Sequence, residues 1–213
     1  QIEKALEVNQ SLIIEYPNEP LLFNLSGACQ LGLGAQESAI VSFQKAIAVK
    51  PDYAEAHFNL GNCFRAIGNL PEALLSFQKS LAIRPNYPQA HNNLGVTYQD
   101  LGQLNDAVDS FEWAIAYKFD YAEAYNNLGN VQRLLNQFDN GIVNLKKAIS
   151  INPNYAEAYK NLGNAKEETG SFDDAIENYE KALSISTNYA LAYYDLSYLK
   201  QYSPNDPQIK QME

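Results

Sequence analysis

Asparagine recurs in this chain at a fixed interval. Asn59, Asn93, Asn127 and Asn161 stand 34 residues apart, and Asn62, Asn130 and Asn164 follow three residues after three of them. Positions three apart share one face of a helix. A carboxamide both donates and accepts hydrogen bonds, so a row of them can pair with the N–H and C=O of a passing peptide whatever its side chains. That chemistry is binding, not bond-breaking. His57 and His91 are also one interval apart, where Tyr125, Tyr159 and Tyr193 stand later. Aromatic packing against the preceding helix accounts for them, and no Cys or carboxylate stands at metal-ligand spacing. There is no Gly-rich phosphate loop, nucleophile elbow or HExxH motif. No catalytic residue, metal or cofactor is expected, and the chain does not read as an enzyme. Cys29 and Cys63 occupy equivalent points of the interval. Neighbouring helices pack about 8–10 Å apart, too far for a disulfide, so both read as small buried fillers.

The elements that carry these amides pose a puzzle. "NNLGN" (126–130) and its variants at 58–62, 92–96 and 160–164 put asparagine and glycine inside a helical pattern, where glycine costs about 1 kcal/mol relative to alanine. The period answers it. Tyr53, Tyr87, Tyr121, Tyr155 and Tyr189 keep the spacing, as do Ala56, Ala90, Ala124, Ala158 and Ala192. Each unit reads as two amphipathic helices, exemplified by Ala122–Leu135 and a second helix ending at Ile151 before Pro153. Pro71 suits a first helical turn, and Ser171 with Asp174 resembles a capping box. Gly34, Gly68, Gly102 and Gly170 mark the turn within each unit, with Asn136 in the fourth place. Gly61, Gly95, Gly129 and Gly163 let the second helix approach the first. Ala39, Ala73, Ala107 and Ala175 are small on that second helix, and Phe43, Phe77, Phe111, Leu145 and Tyr179 are large four residues on.

Helix pairs of this kind bury their apolar face only by stacking on the next pair. The expected fold is all-α: a right-handed superhelical solenoid with a concave and a convex side. One solenoid spans 1–202, with a lone second helix in 1–19, full units at 20–53, 54–87, 88–121, 122–155 and 156–189, and a lone first helix at 190–202. Residues 203–213 read as a tail or the start of a linker.

The set "AEAYNNLGN … A … F … KAI … P.Y" resembles the tetratricopeptide repeat over nearly the whole chain. The resemblance implies a protein-interaction scaffold whose first helices line a concave groove, so the asparagines would form a ladder along it. Asn59, Asn93, Asn127 and Asn161 are similar to the ladder in the repeat domain of O-linked N-acetylglucosamine transferase, which binds substrate backbone. Two readings stay open: amides facing a guest, and amides bonded to a neighbouring helix. Rungs about 10 Å apart would meet an extended peptide about every third residue. A chaperone-type carboxylate clamp is not expected, because Asn24, Gln89 and Asn93, or Glu123 and Asn127, fill its aligned positions and supply no cation. Glu55, Glu123, Glu157, Asp100, Glu167 and Glu168 should make the groove acidic.

Trp113 stands where other units have Lys45, Lys79, Lys147 and Lys181, Tyr117 lies four residues on, and Phe119 replaces a proline. These three form either a partner or oligomer patch or a locally repacked unit. The net charge of −10 and pI near 4.7 disfavour nucleic acid and anionic membrane as partners and favour a basic or neutral polypeptide. No stretch is long and apolar enough to span a bilayer. The chain starts at Gln1 already in a helical pattern, without a Met or signal-peptide layout. It reads as a piece of a longer, cytoplasmic protein. The tail "LSYLKQYSPNDPQIKQME" is similar to segments joining such repeats to a sulfotransferase domain. The expected function is thus a non-catalytic scaffold holding an extended polypeptide. Its alternatives are the recognition arm of a larger glycosyl- or sulfotransferase, and a self-assembly module acting through its uncapped ends.

Overall fold

A computed structural model describes residues 1–200. The end of the expected last helix and the tail at 203–213 lie outside the described residues. The contacts divide the chain into two compact units, Gln1–Tyr117 and Lys118 onward, and each is taken by itself.

The first unit holds α1 (Ile2–Glu15), α2 (Pro20–Gly32), α3 (Gln36–Val49), α4 (Ala54–Ala66), α5 (Leu70–Ile83), α6 (Pro88–Asp100) and α7 (Leu104–Tyr117). The second holds α8 (Ala122–Leu134), α9 (Phe138–Ile151), α10 (Ala156–Glu168), α11 (Phe172–Ile185) and α12 (Ala190–Leu199). Among the described residues every regular element is helical. Within each unit the helices pair α2 with α3, α4 with α5, α6 with α7, α8 with α9 and α10 with α11. Each second helix then packs on the next first helix of its unit, and α2, α4 and α6 also touch in succession, as do α8 and α10.

The helix ends follow local chemistry. Gly68 closes α4 in the left-handed region (φ 77°), and Asn69 N–H bonds back to Phe64 O at 2.8 Å. This is a Schellman closure, which favours glycine for want of a Cβ clash. Asn136 takes the same role at φ 59°, asparagine being the residue that best tolerates that region after glycine. Pro71 lies in the first turn of α5. Ser171 is the N-cap residue of α11 but makes no side-chain capping bond. The expected capping box does not form: the Ser171 N–H bonds to Lys166 O at 2.8 Å, and Asp174 pairs with the Lys166 side chain at 2.7 Å.

The core is the small-against-large seam. Phe43, Phe77, Phe111, Leu145 and Tyr179 are fully buried, as are Ala39, Ala73, Ala107 and Ala175. A Cβ on Gly61 would stand 2.7 Å from the Phe77 ring, so the glycine is what lets α5 lie this close to α4. Burying such a side chain contributes about 1.5–3 kcal/mol, which outweighs the propensity cost of one helical glycine. Cys63 is fully buried, whereas Cys29 is only half-buried; both are free thiols. The expectation of two buried fillers therefore holds for Cys63 alone.

Candidate functional site

The amides of the first helices bond to one another. In the first unit Asn59 Nδ2 donates to Asn24 Oδ1 at 3.0 Å, and Asn93 Nδ2 donates to Asn62 Oδ1 at 2.7 Å. In the second, Asn161 Nδ2 donates to Asn126 Oδ1 at 2.9 Å. Asn24, Asn92 and Asn126 are buried, and they stand three residues before the packing glycine. The sequence reading missed this position because Phe58 and Lys160 interrupt it. Reading that column of the repeat by itself would have found it.

Asn59, Asn93 and Asn127 are half-buried on their helices, and so are Asn62, Asn130 and Asn164. Asn161 is buried within the scaffold at 7% exposure. Asn126 Nδ2 also lies 3.4 Å from Asn127 Oδ1, Tyr155 OH and Glu157 Oε1. Asn130 Oδ1 accepts from Arg133 Nε and Nη2 at 3.3 and 3.1 Å, and Arg133 reaches on to Glu168.

Asn164 serves a buried phenol. Tyr179 stands in the column of Phe43, Phe77 and Phe111, and its hydroxyl needs partners that a phenylalanine does not. It donates to Glu167 Oε2 at 2.7 Å. The Asn164 amide is satisfied with its carbonyl 2.9 Å from Lys160 Nζ and its NH2 2.9 Å from Tyr179 OH and 3.3 Å from Asp195 Oδ2. Burial first, and Glu167 second, push the Tyr179 phenol well above its ordinary pKa.

The remaining acids lie on the first helices. Glu55, Glu123 and Glu157 are exposed in the first turns of α4, α8 and α10, and Asp100 is exposed at the end of α6. Burial, and then the nearest of these glutamates, raises the pKa of Tyr53, Tyr121 and Tyr155.

The histidines are held by hydrogen bonds as much as by packing. His57 Nε2 lies 3.0 Å from Pro51 O and His91 Nε2 lies 2.8 Å from Pro85 O. No group of His, Cys, Asp and Glu able to hold a metal ion occurs among the described residues. The His91 ring stacks on Trp113 and Tyr117, with centroids 6.3 and 5.5 Å away. Trp113 stacks on Tyr117 at 5.8 Å and remains 54% exposed. Phe119, in the other unit, is 80% exposed.

Sequence models described as TPR repeat match residues 32–64 and 61–102, and models described as tetratricopeptide repeat match 92–145 and 120–188. The chain is a tetratricopeptide-repeat protein. The solved structure of MamA is similar, at 29% identity and a TM-score of 0.69, over 77% of this chain and 96% of that one. YrrB, a TPR protein with an unusual peptide-binding site, shares 20% identity with a TM-score of 0.72 over 89% and 97%. PilF of Pseudomonas aeruginosa shares 17% with a TM-score of 0.76 over 91% and 87%. The last two likenesses are of fold alone. No curated protein matches the chain in sequence. As a TPR chain it belongs to a family of protein-interaction scaffolds, and no helix among its described residues is long and apolar enough to cross a membrane.

Proposed function

We propose that this TPR chain is a non-catalytic scaffold that holds an extended polypeptide on the amide-bearing faces of its first helices. The observation that carries the reading is the state of Asn59. Its side chain is half-buried on α4 and donates one N–H to Asn24. An asparagine has a second N–H and carbonyl lone pairs besides. A rung fixed by its neighbour and still able to bond is preorganised, and preorganisation lowers the entropic cost of capturing a guest. Asn161 is excluded from the contact set by burial, so the contacts rest on Asn59, Asn62 and Asn93 in the first unit and, taken by itself, on Asn127, Asn130 and Asn164 in the second.

The test uses a peptide selected from a displayed random library on the intact chain. Scanning it with ester-for-amide replacements removes one backbone donor at a time and leaves the protein unaltered. Affinity should fall severalfold, on the scale of one hydrogen bond of about 0.5–1.5 kcal/mol, at positions about three residues apart. The double variant Asn59→Ala/Asn93→Ala should weaken the same peptide. A flat ester scan, with affinity set by one or two side chains, would reject the ladder.

A further inference from the structure

Arg65 is the only arginine or lysine on α2, α4 and α6. Its Nε is buried without a hydrogen-bond partner, and Arg65 takes no part in the ion pairs found among the described residues. Buried polar groups rarely stay unpaired, and one that does calls for a reason.

The repeat supplies the reason. Arg133 stands two repeats further on, and each of its three guanidinium nitrogens has a partner, Asn130 Oδ1 for two and Glu168 for the third. The equivalents of those partners in the first unit are Asn62 and Asp100, and neither is available to Arg65 in the same way. Asn62 Oδ1 already accepts from Asn93 at 2.7 Å. In the second unit the equivalent of Asn93 is Asn161, and it donates to Asn126. The position equivalent to Asn126 in the first unit is Phe58, which cannot accept. Asn93 bonds Asn62 instead, so one of the two acceptor sites that Arg133 uses on Asn130 is occupied on Asn62. Asp100 is one methylene shorter than Glu168 and makes no ion pair among the described residues.

We infer that Arg65 is a carboxylate-binding site within the amide face of the first unit, taking an Asp or Glu side chain or the C-terminal carboxylate of a bound polypeptide. The inference rests on the polypeptide-binding reading above and adds one charged anchor to it. A guanidinium presents donors in a fixed fork that matches a carboxylate, and Arg65 stands one helical turn beyond Asn62 on α4. It does not stand at the positions where a chaperone-type clamp would need its cations.

The chain has three arginines, Arg65, Arg84 and Arg133, so their Nε–Hε resonances are individually resolvable by NMR in the intact protein. Three peptides of Gly, Ser and Thr, each about twelve residues long to pass several rungs, serve as probes. One is capped at both ends with a central Asp, one is identical with Asn, and one is the Asn peptide with a free C-terminus. The Arg65 resonance should move saturably with the Asp peptide, the free-terminus peptide or both, and the pattern tells which carboxylate is used. Arg84 and Arg133 should stay still. Asp100→Glu restores the longer acid of the second unit and should weaken the Asp peptide by about threefold, the scale of one exposed ion pair. An unmoved Arg65, an equal shift with the capped Asn peptide, or unaltered binding in Asp100→Glu overturns the inference. If the capped Asn peptide shifts the Asn59 and Asn93 side-chain resonances while Arg65 is silent in all three titrations, the polypeptide reading stands without this anchor. If no peptide moves any resonance, both fall.

Discussion

Gly129 and Gly141 meet backbone to backbone where α8 crosses α9. A Cβ on Gly129 would stand 2.8 Å from Gly141 O, and a Cβ on Gly141 would stand 2.8 Å from Gly129 O. The other pairs are separated by a ring; here Leu145 replaces the aromatic residue, Gly141 replaces the alanine, and the helices close the gap with their own backbones. Gly129→Ala should therefore be among the costliest glycine substitutions in the chain. Alanine would gain about 1 kcal/mol of helix propensity, but overpacking against a carbonyl that cannot rotate away costs about 1–3 kcal/mol. The urea midpoint should fall. A rise would mean the helices can separate without loss.

The asparagine pairs predict an ordering of stabilities. Asn161→Ala removes the donor to the fully buried Asn126 carbonyl, and leaving a buried acceptor unpaired costs about 1–3 kcal/mol. Asn93→Ala removes the donor to Asn62, whose carbonyl is half-buried and has Arg65 one turn away. The guanidinium should move in as Arg133 has done on Asn130. Asn93→Ala should be the milder variant by denaturant unfolding, and the Arg65 Nε–Hε resonance should shift without any ligand. Equal losses, with Arg65 unmoved, would refute the substitution of one donor for the other.

These pairs also mark how far the sequence could be read. The period, the helix pairing and the glycine seam were legible because each is forced by sterics that repeat: a buried ring demands a glycine opposite, and a left-handed turn demands glycine or asparagine. The amide-bearing face was legible only in outline. Asn59 and Asn161 occupy the same column, yet one is half-buried and the other buried. Which carbonyl an amide finds depends on a neighbour one repeat away, Asn24 for one and Asn126 for the other. Periodicity locates a residue on a face, but the choice among nearby acceptors is made by contacts between neighbouring repeats. The Ser171 box failed for a like reason: the Ser171 N–H is already bonded to Lys166 O on the preceding helix, and Asp174 pairs with the Lys166 ammonium.

His91 should make stability depend on pH. Burial lowers its pKa below the ordinary imidazole value, opposed by the hydrogen bond to Pro85 O. The folded chain thus binds its proton less readily than the unfolded one. The contribution of His91 is fully present above the unfolded value near 6.5 and is lost as pH falls through the lowered folded value. Between about pH 8 and about pH 5 the melting temperature of the wild type should fall more than that of His91→Gln. Trp113, the only tryptophan, stacks on the His91 ring and offers a direct readout. Its fluorescence should be quenched as the imidazole protonates, with a midpoint below 6.5, and the variant should show no such step.

The two cysteines should differ in reactivity although they occupy one column of the repeat. Cys63 is fully buried, and desolvation pushes its thiol up to about 11. Only the thiolate attacks a disulfide reagent, so near neutral pH Cys63 is shielded by both access and ionisation. Cys29 is only half-buried on α2, where a reagent can reach it. An aromatic disulfide reagent should titrate one thiol promptly in the native chain, and peptide mapping should place the label on Cys29. The second thiol should react only in denaturant, at a rate that follows global unfolding of the first unit, because Cys63 belongs to the cluster of Ala39, Phe43 and Leu60 that joins α3 to α4. Prompt labelling of both would mean that this seam opens locally without the rest of the unit.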